Sequence, residues 1–330
     1  MAFRFRFDEP IEKGFRRIGA EQIERARRQL AANADPATEV HEARKCMKRI
    51  RALLRLGRQG LGETVYRAEN AHFRAIAGSL ASARDDYVLL ETIVKLTAET
   101  EGHAVAPALN RLKATVAVRH PEKANGTDAS GRAEADAALE RALRRFRRLR
   151  LEPDSFTTLE RGLVRTYRKG LECRDVAYAE NTDDGFHEWR KCVQTHWRHM
   201  ALLSRAWPEL FEAEIEAARR LSQILGDDHD LALLRMKLAA LPPDALPTGD
   251  ADRIEGLIAA RQTALRRAAG PQGEVIFAER PKAHGRRIAG IWHGAAALSR
   301  EDSPRRKPKE SEAANRSGAK PAKPQAHVRG

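Results

Sequence analysis

One short pattern occurs twice in this chain. His41-Glu42-Ala43-Arg44-Lys45-Cys46 returns as His187-Glu188-Trp189-Arg190-Lys191-Cys192, 146 residues later. A second pair of segments, Leu80 to Asp85 and Leu225 to Asp230, lies almost the same distance apart, and each leads into an apolar run. Two collinear echoes at one spacing mark a duplicated unit, so the fold is to be built from two related halves, each unable to bury its apolar face alone.

Ala, Leu, Arg and Glu dominate, and aromatic residues make up only 5%. Such a composition favours long, surface-charged helices. The chain therefore reads as all-α. Gly, Pro and Asp clusters place helix breaks at Asp35-Pro36, Gly60 to Gly62, Asp85-Asp86, Pro107, Pro153-Asp154, Thr182 to Gly185, Pro208, Gly226-Asp227, Pro242 to Gly249 and Gly270 to Gly273. The segment 121–131 has no apolar periodicity and reads as a linker between a first half, about 10–120, and a second, about 132–298. From residue 299 onward the chain is rich in Pro, Ser, Lys and Arg. That composition predicts a disordered basic tail.

Sixty Lys and Arg stand against 46 Asp and Glu, a net +14. Residues 300–330 hold nine of those cations and four of the anions, so most of the excess belongs to the helical body. On the helix predicted around His41, the side chains of His41, Arg44, Lys48, Arg51 and Arg55 share one face. Val40, Ala43, Met47, Ile50 and Leu54 repeat the spacing one residue earlier, about 100° around the axis. One face packs and its neighbour is cationic. Glu42 is the only acid among seven Lys and Arg between His41 and Arg58, whereas an ordinary solvated face mixes both signs. In the second copy Phe186, Trp189, Val193, His196, Met200 and Leu203 keep the packing stripe. Its charged face is thinner: Gln194, Thr195 and Trp197 replace cations, leaving Arg190, Lys191 and Arg198 beside His187.

These paired motifs resemble the CHAD domain, the conserved-histidine α-helical domain, whose copies read approximately H-x-x-R-x-x-x-[KR]-[KR]-x-R. His41, Arg44, Lys48, Arg49 and Arg51 match the first copy; His187 and Arg190 match the second. The run Arg165-Thr166-Tyr167-Arg168-Lys169, the segment Leu225 to Asp230 and Arg286-Arg287 are also similar to the family, and the resemblance spans roughly 10–298. It implies two pseudo-repeated antiparallel four-helix bundles around a basic central groove that binds inorganic polyphosphate and carries out no chemistry of its own. The implied binding set is His41, Arg44, Lys45, Lys48, Arg49, Arg51, Arg55, Arg165, Arg168, Lys169, His187, Arg190, Lys191, Arg198, Arg286 and Arg287, with Asp85 and Asp230 as supporting acids.

A polyphosphate chain is a line of negative charge without bases, so it calls for closely spaced cations; Arg grips its oxygens bidentately and Lys adds point charge. Histidines titrating near neutrality would gain protons beside it. Scarce aromatics leave no stacking ladder for single-stranded nucleic acid, although binding to RNA or DNA is the second reading of the same charge. A separate phosphate-metabolising enzyme is a further partner that the family suggests.

Three cysteines, none in a C-x-x-C spacing, make no disulfide framework and no zinc ribbon. Cys192, His196 and His199 could in principle meet one ion, but His196 falls on the packing stripe, so a core role is expected and no metal or other cofactor. Asp227, Asp228 and Asp230 beside Gly226 read first as helix caps, and alternatively as acids that position cations. Neither a nucleophile elbow nor a Gly-rich phosphate loop occurs, so the expectation is not an enzyme. The N-terminus lacks a signal-type apolar run and no stretch reaches membrane-span length. The expected location is cytoplasmic, at polyphosphate granules.

Overall fold

The computed structural model describes residues 3–32, 35–80, 84–119 and 129–301. Within them the chain forms helices and no strand. In chain order these are α1 (Ile11–Ala31), α2 (Pro36–Leu56), α3 (Arg58–Leu61), α4 (Glu63–Ser79), α5 (Arg84–Glu99), α6 (Ala106–Arg119), α7 (Ala129–Phe146), α8 (Phe156–Glu180), α9 (Asp183–Leu203), α10 (Pro208–Ala239), α11 (Asp250–Ile276) and α12 (Pro281–Glu301).

Local signals set most boundaries. Asp35 caps α2 by accepting the Thr38 N–H at 3.3 Å, with Pro36 in the first turn, where its missing donor costs nothing. Thr182 caps α9 in the same way, accepting the Gly185 N–H at 3.1 Å. The packing stripes are buried as their spacing requires: Ala43, Met47, Ile50 and Leu54 on α2, and Phe186, Trp189, Val193, Met200 and Leu203 on α9, are fully enclosed.

Two expected breaks do not occur. α10 runs unbroken through Gly226-Asp227, and α11 runs through Gly270 to Gly273 with Pro271 inside it. Tertiary packing overrides the local cost at both. A Cβ on Gly226 would stand 3.0 Å from the Arg190 guanidinium, and one on Gly273 would stand 2.5 Å from the Trp189 ring, so both glycines admit a side chain of α9 against a helix backbone. Asp227, Asp228 and Asp230 accordingly lie in mid-helix and cap nothing.

The bundles also divide differently from the sequence halves. α7, which follows the supposed linker, packs against α1 and α4 of the first half: Phe146 stacks on Phe15 at 5.4 Å and meets Phe73 edge-on. Arg132 of α7 is buried and donates to the Leu30 carbonyl at 2.7 Å and to Glu39 at 2.8 Å. α5 and α6, in turn, lie on α10 and α11, sharing a core of Leu89, Ile93, Leu109, Leu234, Ile254 and Ile258. α1, α2, α4 and α7 thus form one bundle, while α8 to α11 build around Tyr167, Trp189, Leu225 and Phe277. α12 closes on α8. Residues 121–128 of the proposed linker and 302–330 of the proposed tail lie outside the described residues; α7 already begins at Ala129 and α12 continues to Glu301. No helix among the described residues is long and apolar enough to cross a membrane.

Candidate functional site

The duplicated pattern opens α2 and α9 alike, down to one side-chain pair: Lys45 meets Glu42 at 2.6 Å, and Lys191 meets Glu188 at 2.6 Å. Both outer lysines therefore have a carboxylate. The cations further along are held differently. Around Lys48 stand Arg44 and Lys45 of its own helix and Arg190 and Arg198 of α9. The Lys48 ammonium is pushed down to about 8, first by desolvation among these side chains and then by their charge. Lys48 nevertheless remains exposed to solvent, so this crowding belongs to the surface and not to a dry core.

Arg198 lies deeper, 8% exposed, and burial together with Arg49, Arg55, Arg219 and Arg190 pushes it down to about 9. None of the ion pairs among the described residues reaches Arg44, Lys48 or Arg198. Two donors here, Arg44 Nη1 and Arg198 Nε, are buried without a hydrogen-bond acceptor. Unanswered buried donors are costly, and like charges held together add to that cost.

The three places where the second copy departs from the motif complete this cluster. The Gln194 carbonyl accepts from Arg198 Nη1 at 2.6 Å. Thr195 Oγ1 accepts from Arg55 Nη1 at 3.4 Å, joining α2 to α9. The Trp197 ring carries Arg198 at 4.2 Å and Arg219 of α10 at 4.9 Å, a double cation–π platform. Arg219 was not anticipated from sequence; its helical position two turns before Gly226 was the only available signal.

The histidine of the second copy stacks on another. His187 and His229 of α10 lie parallel, 3.9 Å between centroids. Burial first, and then neighbouring positive charge, pushes both down to about 4. In the free chain His187 therefore sits well below the ordinary imidazole range, partly desolvated beside Arg190 and Lys191; the expected gain of protons concerns the anion-bound site. His41 sits half-buried on α2.

Other anticipated residues are distributed more widely. Arg49 donates to Gln22 at 3.4 Å and leans over Phe3. Arg51 turns toward α4, donating to Asn70 at 3.1 Å, and is lowered to about 10 by burial and by Arg55 and Arg74. Arg165 and Arg168 join Arg161 and Lys282 around an open depression of about 400 Å3 on α8, with Glu160 on its rim. Lys169 pairs with Glu172 at 3.5 Å. Arg286 is exposed on α12.

Arg287 stands apart. It is bound by Glu279 at 2.8 Å and Glu214 at 2.9 Å, so two carboxylates already neutralise it and its place is structural. Asp230 lines a cleft of about 630 Å3 with Lys95, Asp227 and Arg261. Asp228, in the same segment, holds Arg266 of α11 at 2.8 Å. The Asp85 side chain lies outside the described residues.

His196 and His199 are core residues. His199 uses both ring nitrogens, on the Ala52 carbonyl at 2.9 Å and Thr166 Oγ1 at 3.1 Å. His196 packs on Tyr167 and Phe277. No group of three metal-ligating side chains assembles among the described residues.

Taken together, this is an all-helical protein that concentrates cations where two echoed helices meet. The chain belongs to the CHAD domain family, which matches residues 17–239, from within α1 to the end of α10. Among solved structures, PptA from Streptomyces chartreusis is similar, with a TM-score of 0.57 over 82% of this chain and 100% of that chain. Identity is 16%, so that likeness concerns the fold. No curated protein matches the chain.

Proposed function

We propose that this chain binds inorganic polyphosphate on the cationic surface shared by α2, α9 and α10, and that it does so without turning the polymer over. The observation that carries the reading is the cluster around Lys48: Arg44 and Arg198 keep buried donors without acceptors, and Lys48 and Arg198 are both lowered, by burial first and then by their neighbours' charge. Only an anion relieves both costs at once. Family membership supports the choice of polyphosphate, the polymer that the CHAD resemblance implies.

Trp197 favours polyphosphate over a single nucleic-acid strand, because its ring is already occupied by two guanidinium groups and is not free for a base. Binding would bring the protein, or an enzyme partner, to polyphosphate stores. The deciding measurement is competition at physiological salt between long-chain polyphosphate and RNA on the full chain. Polyphosphate should displace RNA and keep its length distribution after prolonged incubation. Displacement of polyphosphate by RNA would overturn the ligand, and shortening of the chains would overturn the non-catalytic role.

A further inference from the structure

Cys173 of α8 and Cys192 of α9 face each other across the interhelical seam with their sulfurs 3.1 Å apart. Both are free thiols. A disulfide needs about 2.0 Å between sulfurs, so the two thiols stand about 1 Å from bonding distance. Neither sulfur is used by the anion-binding cluster.

The surroundings are those of a reactive pair. Lys169, one turn before Cys173, acts on both sulfurs, and Arg55 acts on Cys192 from α2. The Cys192 S–H first, and then Lys169, hold the Cys173 thiol below the ordinary range against the opposing effect of burial; Cys192 is correspondingly pushed up. A thiolate beside a thiol and a cation is the arrangement from which oxidation begins. Cys192 is half-buried, so the seam reaches the surface. The third cysteine, Cys46, has no neighbouring thiol: it is fully buried in the α2 packing face, and burial pushes its thiol up against the opposing pull of Arg49 and Arg25.

We propose that Cys173 and Cys192 form a peroxide-oxidisable site that closes to an intramolecular disulfide joining α8 to α9. The Cys173 thiolate attacks one peroxide oxygen, the O–O bond breaks, and the displaced hydroxide takes a proton and leaves as water. Cys173 is then a sulfenic acid. The Cys192 sulfur attacks the Cys173 sulfur, the S–O bond breaks, and the Cys192 proton departs with the hydroxide as a second water. Two thiols have lost two electrons in total and the peroxide has gained them. This site stands independently of the polyphosphate reading.

To test it, the reduced full chain is treated with hydrogen peroxide and examined by intact mass, thiol counting and non-reducing peptide mapping. The expected result is a loss of two hydrogen masses, loss of two of the three thiols, and a peptide joining Cys173 to Cys192 that dithiothreitol separates, with Cys46 still alkylated after denaturation. In the Cys192→Ser variant the Cys173 sulfenic acid should instead be trapped by dimedone. Three thiols surviving in the wild-type chain, a cross-link through Cys46, or a cross-link only between molecules would each overturn the proposal, and none of these readouts depends on the variant folding.

Discussion

Thr195 and Trp197 show how a residue that looks like a loss in the sequence becomes a gain in the fold. They replace cations of the first copy, yet the hydroxyl and the indole each hold an arginine in place. Trp197→Ala should therefore weaken polyphosphate binding by roughly 2- to 30-fold, the range of about 0.5–2 kcal/mol for a cation–π contact, while helicity stays unchanged in circular dichroism. A larger effect is expected at the centre of the cluster. Arg44→Glu with Lys48→Glu should abolish binding in a filter assay while leaving the melting temperature equal to or above that of the wild type, because the pair lies beside, not on, the Val40, Met47 and Ile50 packing face and its charges repel one another. The positive stripe on α2 was legible because helical spacing is a local property. The special value of Lys48 was not, since the charges that press on it come in part from Arg190 and Arg198, more than 140 residues away.

At the scale of the element, α10 is the informative helix. Sequence punctuation places a break at Gly226-Asp227, where the structure has an unbroken helix carrying Arg219, His229 and the glycine against which Arg190 rests. Gly226→Ala separates the two roles. A mid-helix Gly costs about 1 kcal/mol relative to Ala, so the variant should melt no lower than the wild type. Its new Cβ would crowd the end of the Arg190 side chain, 3.0 Å away, and polyphosphate affinity measured by titration should fall. A fall in stability with affinity intact would show that Gly226 serves the packing of α10 alone. Glycine reads as a stop in a sequence because its backbone entropy is local, whereas the neighbour that needs the space is not visible until α9 and α10 are packed.

For the whole molecule, buried histidines set the response to acid. His196, His199 and His284 are pushed down to about 3, and His187 and His229 to about 4, by burial first in every case. Their ordinary value is 6.5, so the unfolded chain binds protons before the folded one as pH drops. The histidine contribution should thus be level above pH 7 and fall continuously from about pH 6.5, followed as melting temperature between pH 7 and 5; the lowered carboxylates of Glu12 and Glu42 add their loss only below 4.5, and the depressed Lys48 acts separately, above about 8. A melting temperature constant from pH 7 to 5 would show that these rings are protonated in the fold. The shared surface of α2 and α9 makes a second claim at this scale. A polymer that engages both helices gains avidity of about 10²- to 10⁴-fold over a fragment that reaches one, so affinity should rise steeply with polyphosphate length and then flatten, and independence of length would mean that the two helices act separately.

By itself the sequence determined the helical class, the duplicated pattern, the packing and cationic stripes of α2 and most helix ends, since each depends on residues within a few turns of one another. Only the tertiary structure decided that α7 belongs with α1 and α4, that α5 and α6 lie on α10 and α11, that Arg287 is neutralised by Glu214 and Glu279, and that Arg219 and His229 join the site. The reason is physical. Helix formation reads nearest neighbours, but which charge remains unanswered depends on which helices come together, and that is settled by the burial of Phe146, Trp189 and the leucines of several distant segments at once.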